Sequence, residues 1–316
     1  MEQINTVIFL TIFTAGTLAG ILTNGFIFTL TVHYWIKRRK LNPSENIIMA
    51  LAFLNEIFSG VHFASIVQFI FFPKTTLATM IVDFLLLYVV FSNPWLGACL
   101  CFFFFVKIND FKPGYLAQIK SKIDSMVPWF ILGAHLYSMF NCMLLAAMDI
   151  TFNGINVTMS ILTGQGLNMT DGNMLGVNIS LVVISINYII PFLIIMIMAS
   201  LIIASLYKHT HHMQQNMGQY GTPNLKIHQR AARILTSFLI FYLLLFFFTI
   251  GGELFVPASS LYWACTSMTC LCSPMQATIL ILGNARLKKT CVKIFNRCRK
   301  KEFSKEGNQV DTNQTL

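Results

Sequence analysis

Long apolar stretches separated by short polar ones run along the chain almost to its end. Ionisable side chains mark the gaps: no Asp, Glu, Lys or Arg interrupts Gln3 to Ile36, Ser125 to Met148, Gly172 to Tyr207, Ile234 to Gly252 or Leu254 to Ala285. Asn46 to Pro73 is broken only by Glu56, and Thr75 to Val106 only by Asp83. A charge at the centre of a membrane helix costs about 2.5–3.5 kcal/mol on insertion scales, and a ~30 Å hydrocarbon layer takes about 20 apolar residues to cross. The pattern therefore predicts seven spans, at 7–35, 46–72, 79–108, 125–148, 179–207, 232–252 and 261–284. Backbone polar groups in lipid are satisfied only in helices and closed barrels, and the apolar/polar alternation of barrel strands is missing. The predicted fold class is all-α, an integral membrane bundle.

Charge gives the bundle a direction. Of the 22 Lys and Arg residues, 21 fall in four segments, Lys37 to Lys40, Lys107 to Lys122, Lys208 to Arg233 and Arg286 to Lys305, and only Lys74 lies on the other side. The positive-inside rule makes 36–45, 109–124, 208–231 and 285–316 cytoplasmic. Segments 1–6, 73–78, 149–178 and 253–260 are then extracellular, with the N-terminus outside. The outer segment between spans four and five holds three Asn-x-Ser/Thr acceptors, Asn156, Asn168 and Asn178, where glycan would be expected; Asn313 has the same spacing but lies in the cytoplasmic tail.

Composition narrows the class. The chain has 316 residues, 55% hydrophobic and 11% charged, against roughly 25% charged for an average soluble domain. A net charge of +10 raises nucleic acid as a partner, but the basic residues sit in short runs between apolar stretches rather than interleaved with aromatics on one face. Six of the eight cysteines lie in apolar stretches, so no disulfide framework is implied. Glu2 and the length of the first apolar run argue against a cleavable signal and for a span that is its own anchor. His209, His211, His212 and His228 lack paired cysteines, and no metal site or cofactor is expected from them.

Seven helices, a short outer N-terminus and a basic inner face describe a G-protein-coupled receptor, but topology alone assigns no function. Neither Asp-Arg-Tyr in span three nor Asn-Pro-x-x-Tyr in span seven occurs. Span three instead ends WLGACLCFFFFVKINDF (Trp95 to Phe111), which resembles the WLATCLSVFYFLKIANFS pattern of type 2 taste receptors, the bitter receptors. The resemblance recurs in order: GILTNGFI (Gly20 to Ile27), WIKRRKLNPSENIIMALA (Trp35 to Ala52), and Ser205-Leu206, His209 and Met213 in the family's LxxSLxxHxxxM. It continues with Phe238 and Tyr242 in FxxxY spacing and ILILGNARLKK (Ile279 to Lys289), similar to ILILGNxKLK. The chain departs from the pattern at Asn55, where the family usually has arginine, at Gln276-Ala277 in place of His-Ser, and at Leu86 and Val90 in place of a ligand-holding Trp and Asn.

The resemblance implies a receptor for small-molecule bitter agonists, in the plasma membrane of chemosensory cells, driving a gustducin-like heterotrimeric G protein. Association into homo- or hetero-oligomers is left open. A cleft between the outer halves of spans three, five, six and seven would include Leu86, Val90, Phe91, Val183, Ile184, Asn187, Phe247, Thr266 and Cys270, a wall suited to largely apolar compounds and broad specificity. Singly, each apolar residue is of a kind that more often faces lipid or a neighbouring helix. Asp83 and Glu253 are either partners for a ligand ammonium or solvated helix ends, and Asn187 is either a pocket floor or interhelical glue.

Glu56 needs a partner or a proton; a protonated carboxyl bonded to Asn24, Asn55 or Gln276 in the inner core is expected. At the cytoplasmic ends, Lys107, Ser205, His209, His228, Phe238 and Tyr242 stand where a G-protein interface or its latch would be, while basic residues there also attract anionic membrane lipid. The tail from Arg286 to Phe303 alternates basic and apolar residues, as an amphipathic helix on the inner membrane surface would, and Cys291 and Cys298 are acylation candidates.

Rival classes fit less well. A vomeronasal receptor is disfavoured by the KINDF and ILILGN strings, and a transporter by the lack of inverted repeats and midplane charges. A membrane enzyme would need a convergent nucleophile, base or metal set, and no H-x-x-x-x-D, H-E-x-x-H or C-x-x-C motif occurs.

Overall fold

A computed structural model describes residues 2–71, 76–109, 114–163, 171–216, 223–254, 259–297 and 299. The described residues form α1 (Glu2–Arg38), α2 (Pro43–Phe71), α3 (Thr76–Ile108), α4 (Tyr115–Thr163), α5 (Asp171–Asn216), α6 (Pro223–Leu254) and α7 (Ser260–Gly283). A further helical segment, α8, covers 285–297. Among the described residues six helices are long and apolar enough to cross a membrane, and α6 contributes a shorter apolar stretch, Thr236–Gly252. Around the bundle the neighbours run α1, α2, α4, α5, α6, α7 and back to α1, with α3 inside the ring against α2, α4 and α5.

Local chemistry sets several helix ends. Arg39, at φ 55°, takes up the left-handed conformation that stops α1, its amide returning to the Trp35 carbonyl at 2.7 Å. Pro43 opens α2 at a position where its missing N–H is not needed. Glu45 reaches back to the Asn42 amide at 3.1 Å, one half of a capping box. Ser259 caps α7, accepting from the Tyr262 amide at 3.1 Å. Asn284 then ends α7 and starts α8, its side-chain oxygen accepting from the Arg286 and Leu287 amides at 2.9 and 3.3 Å.

Apolar side chains cover the outside of the bundle while amides lie within it. Leu22, Trp129 and Phe247 are at least 70% exposed, whereas Asn24, Asn55, Asn187 and Gln276 are buried to 1% or less. That inversion suits a lipid surround, where helices gain nothing by hiding leucine and associate through close packing and interhelical hydrogen bonds. The apolar core is built around α3, with Val89, Leu96, Leu100 and Val106 packed among Ile27, Leu51, Ile195 and Leu280.

At one end, Glu45 is held by Arg286, with Nη1 at 2.7 Å from Oε1 and 3.1 Å from Oε2. The guanidinium also lies 5.3 Å from the centre of the Tyr34 ring, and the Tyr34 hydroxyl meets Thr290 at 2.7 Å. The start of α8 is thereby tied to α1 and α2. Glu45→Gln keeps the shape and removes the charge; a loss of about 1–2 kcal/mol is expected, because the carboxylate is buried while the guanidinium is about a third exposed. Thermal unfolding of the solubilised protein checks this, and an unchanged midpoint would mean the pair contributes nothing.

Candidate functional site

Midway along the bundle, side chains from five helices meet in one uncharged hydrogen-bonded cluster. Asn24 on α1 donates to Gly20 O at 2.9 Å and to Ser273 Oγ on α7 at 3.0 Å. Asn55 on α2 donates to Asn24 Oδ1 at 3.2 Å and to Gln276 Oε1 at 2.8 Å. Asn93 on α3 donates to Asn55 Oδ1 at 2.6 Å and to Gln276 Oε1 at 3.2 Å. Gln276 Nε2 completes the set, donating to Asn93 Oδ1 at 3.0 Å and to the Tyr242 hydroxyl on α6 at 2.9 Å. Ser59 and Ser273 extend it outward, their hydroxyls 3.2 Å apart.

Among the described residues Tyr242 is the one member of the cluster supplied by α6, and its position depends on Gly97. A Cβ at Gly97 would overlap the Tyr242 hydroxyl and ring carbon, so the phenol fills the space a side chain would take. Phe238 and Phe241 pack on the same ring at centroid distances of 6.1 and 5.0 Å. Beside the cluster, toward Phe58, Val89 and Thr269, lies a cavity of about 30 Å³. Its polar floor is Asn55, Asn93, Ser273 and Gln276, and its apolar walls include Val90, Tyr188, Phe241 and Leu245.

The residues expected to form a ligand cleft divide. Val90 lines the cavity, and Leu86 packs beside it on the core. Phe91 instead turns to α4 and packs with Cys142 and Leu145, with Val183 and Ile184 closing the same cluster. Asn187 is fully buried and donates to Asn141 Oδ1 on α4 at 3.2 Å and to Val183 O at 2.9 Å, the interhelical arrangement rather than a pocket floor. Cys270 faces α2, its sulfur 3.8 Å from His62 Nδ1, and Thr266 returns its hydroxyl to Tyr262 O at 2.9 Å. Asp83 is exposed.

Phe247 points away from the bundle, 70% exposed, and does not line the cavity of about 30 Å³. Its placement has a direct test: Phe247→Ala should leave agonist potency within about twofold, whereas a cleft residue buried against ligand would cost 1 kcal/mol or more, about fivefold. A larger shift in the dose–response curve would return Phe247 to the cleft.

Glu56 stands apart from the amide cluster expected to hold it. Its carboxyl oxygens lie opposite Gly25 on α1, and Oε2 has no hydrogen-bond partner. Asn24, Asn55 and Gln276 bond to one another and to Asn93, and the carboxyl joins none of these bonds. Asn93, Gly97 and Ser273 were not singled out by the sequence; an asparagine followed by proline inside an apolar span was the available sign for the first, and glycine carries none.

At the other end of the bundle, a cavity of about 210 Å³ opens among Ser44, Leu100, Cys101, Phe104, Phe238 and Gly283. Phe238 thus lies on its wall, Ser205 is half-buried on α5, and Lys107 pairs across to Asp124 on α4 at 2.9 Å, not to α6. Cys291 is a half-exposed free thiol on α8. The side chains of Asn156, Asn168, Asn178, His209, His228, Glu253 and Cys298 lie outside the described residues. Among the described residues no three His, Cys, Asp or Glu side chains gather as a metal site would need.

The family model for taste receptor protein (TAS2R) matches residues 1–299. This chain belongs to the type 2 taste receptors. Taste receptor type 2 member 7 of Rattus norvegicus is 28% identical over 304 residues, covering 91% of this chain and 93% of its own. Member 41 of Mus musculus is 26% identical over 293 residues (90% and 94%), and member 3 of Homo sapiens 28% over 288 residues (88% and 89%). The family is one of G-protein-coupled bitter receptors in the membrane, not of enzymes, and the receptor's apolar-outside helices agree with it.

Proposed function

We propose that this receptor detects small, largely apolar bitter compounds in the outer half of a seven-span bundle and activates a gustducin-like heterotrimeric G protein. Its N-terminus lies outside, its basic segments lie in the cytosol, and it works in the plasma membrane of chemosensory cells. The observation that carries the reading is the amide cluster, which touches the outer cavity on one side and holds α6 through a single phenol on the other. A ligand that wedges between Val90 and Leu245 pushes on α6, and α6 has one hydrogen bond in the cluster to lose. Loss of that bond would let the cytoplasmic end of α6 swing, widening the 210 Å³ cavity for a partner's helix.

On this reading Lys107, Ser205, His209 and His228 contact the G protein or anionic lipid, α8 lies on the inner membrane surface, Cys291 and Cys298 take acyl chains, and the outer acceptors Asn156, Asn168 and Asn178 carry glycan. The experiment is a calcium assay in cells bearing a promiscuous G-protein chimera, challenged with a panel of bitter compounds. A concentration-dependent response that vanishes without the chimera is expected. A surface-expressed receptor that answers no compound would overturn the proposal.

A further inference from the structure

We infer that the agonists of this receptor are uncharged molecules with a carbonyl-type hydrogen-bond acceptor, and that this acceptor competes with Tyr242 for the side-chain amide of Gln276. The inference rests on the receptor reading above and names the ligand chemistry of the same cleft.

Among the described residues, no Asp, Glu, Lys, Arg or His lines the outer cavity. Asp83, the described carboxylate nearest the outer end of α3, is exposed and does not line the cavity. A cation arriving at the cluster would meet amides and a phenol without a counter-charge, and an unpaired charge in such a medium costs several kcal/mol even after relaxation. A neutral carbonyl brings no such cost. The cavity volume of about 30 Å³ takes one small polar group, being above the roughly 10–15 Å³ that a cavity needs to hold a water.

Gln276 is also saturated. Its oxygen accepts from Asn55 and Asn93, and its nitrogen donates one proton to Asn93 Oδ1 and the other to the Tyr242 hydroxyl. A newcomer therefore binds this amide only by displacing a bond already made. The Asn93 exchange is reciprocal, two bonds between one pair of side chains, and resists displacement. The bond to Tyr242 is single and reaches a helix with no other member in the cluster among the described residues, so it is the one to yield. A ligand oxygen that takes the Nε2 proton from Tyr242 both binds and frees α6, so recognition and switching share one hydrogen bond.

Two variants and three sets of size-matched bicyclic probes test this in the calcium assay, with surface expression measured alongside. The sets are lactones and lactams such as coumarin, hydrocarbons without an acceptor such as tetralin, and cations such as N-methylquinolinium. Responses are expected from the first set only. Tyr242→Phe removes the competing oxygen and should lower the half-maximal concentration for those agonists about fivefold to tenfold, the equivalent of one ordinary hydrogen bond. Gln276→Met should raise it tenfold or more; if that variant fails to reach the surface, Gln276→Asn, which withdraws the amide by one methylene, should shift potency the same way. Activation by the cations or hydrocarbons, silence from the whole first set, or equal losses of potency in both variants would overturn the inference. If other bitter compounds still activate the receptor, the receptor reading survives that failure; if none does, both fall.

Discussion

A receptor carrying Gly97→Ala is expected to signal without agonist. The new methyl group and the Tyr242 phenol would claim the same space, and backbone on α3 cannot retreat from α6 as a flexible side chain could. The phenol must leave, and with it goes the 2.9 Å bond from Gln276 Nε2. Overpacking a tight site costs about 1–3 kcal/mol and a lost hydrogen bond about 1 kcal/mol, together about 2–4 kcal/mol, which is enough to change the balance between two states by a factor of roughly 30 to several hundred. Agonist-free nucleotide exchange by purified receptor and G protein reads that factor. Basal exchange equal to the parent's, in a variant that folds and reaches the membrane, would show that Tyr242 does not restrain α6.

The second large effect is expected at Asn55. Asn55→Leu deletes the donor to Asn24 and to Gln276 and the acceptor for Asn93, leaving three buried groups short of a partner. Interhelical hydrogen bonds in membranes average about 0.6 kcal/mol each, and a stranded buried polar group costs about 1–3 kcal/mol, so a loss of about 2–4 kcal/mol is expected in all. A drop of roughly 5–10 °C in the unfolding midpoint of solubilised receptor would follow. Glu56→Gln, one residue on, is the control: its carboxyl stands outside the cluster, with Oε2 unpartnered, and the variant should not lose stability. If Asn55→Leu were neutral, or Glu56→Gln were the more damaging, the cluster would not be what holds the five helices together.

How much of this was legible beforehand follows from what lipid does to sequence. Charge gaps locate apolar helices because the cost of an ionisable group in hydrocarbon is large, and Asn24, Asn55 and Gln276 stood out as amides inside such gaps. The helix ends did not stand out. α4 continues to Thr163 and α5 runs from Asp171 to Asn216, far longer than a bilayer requires, because helix persists into polar sequence once the span has nucleated it. Facing was the weakest reading. In a soluble helix the polar stripe shows which side looks outward, but the apolar stretches of α3, α6 and α7 carry no such stripe, so Phe91, Phe247 and Cys270 gave no sign that the first packs on α4, the second points away from the bundle and the third meets His62. The family resemblance supplied Tyr242 by spacing, yet not its socket, since Gly97 acts through the atoms it lacks.

The absence of any formal charge in the amide cluster has an electrical corollary. An elementary charge carried across the whole membrane potential exchanges about 2.3 kcal/mol with the field per 100 mV, which is how voltage sensors operate. Asn24, Asn55, Asn93, Tyr242 and Gln276 carry none, so rearranging them moves no gating charge. Depolarising the cell while agonist is held constant should leave this part of the switch untouched, and a cell in mid-spike would read the same concentration as one at rest.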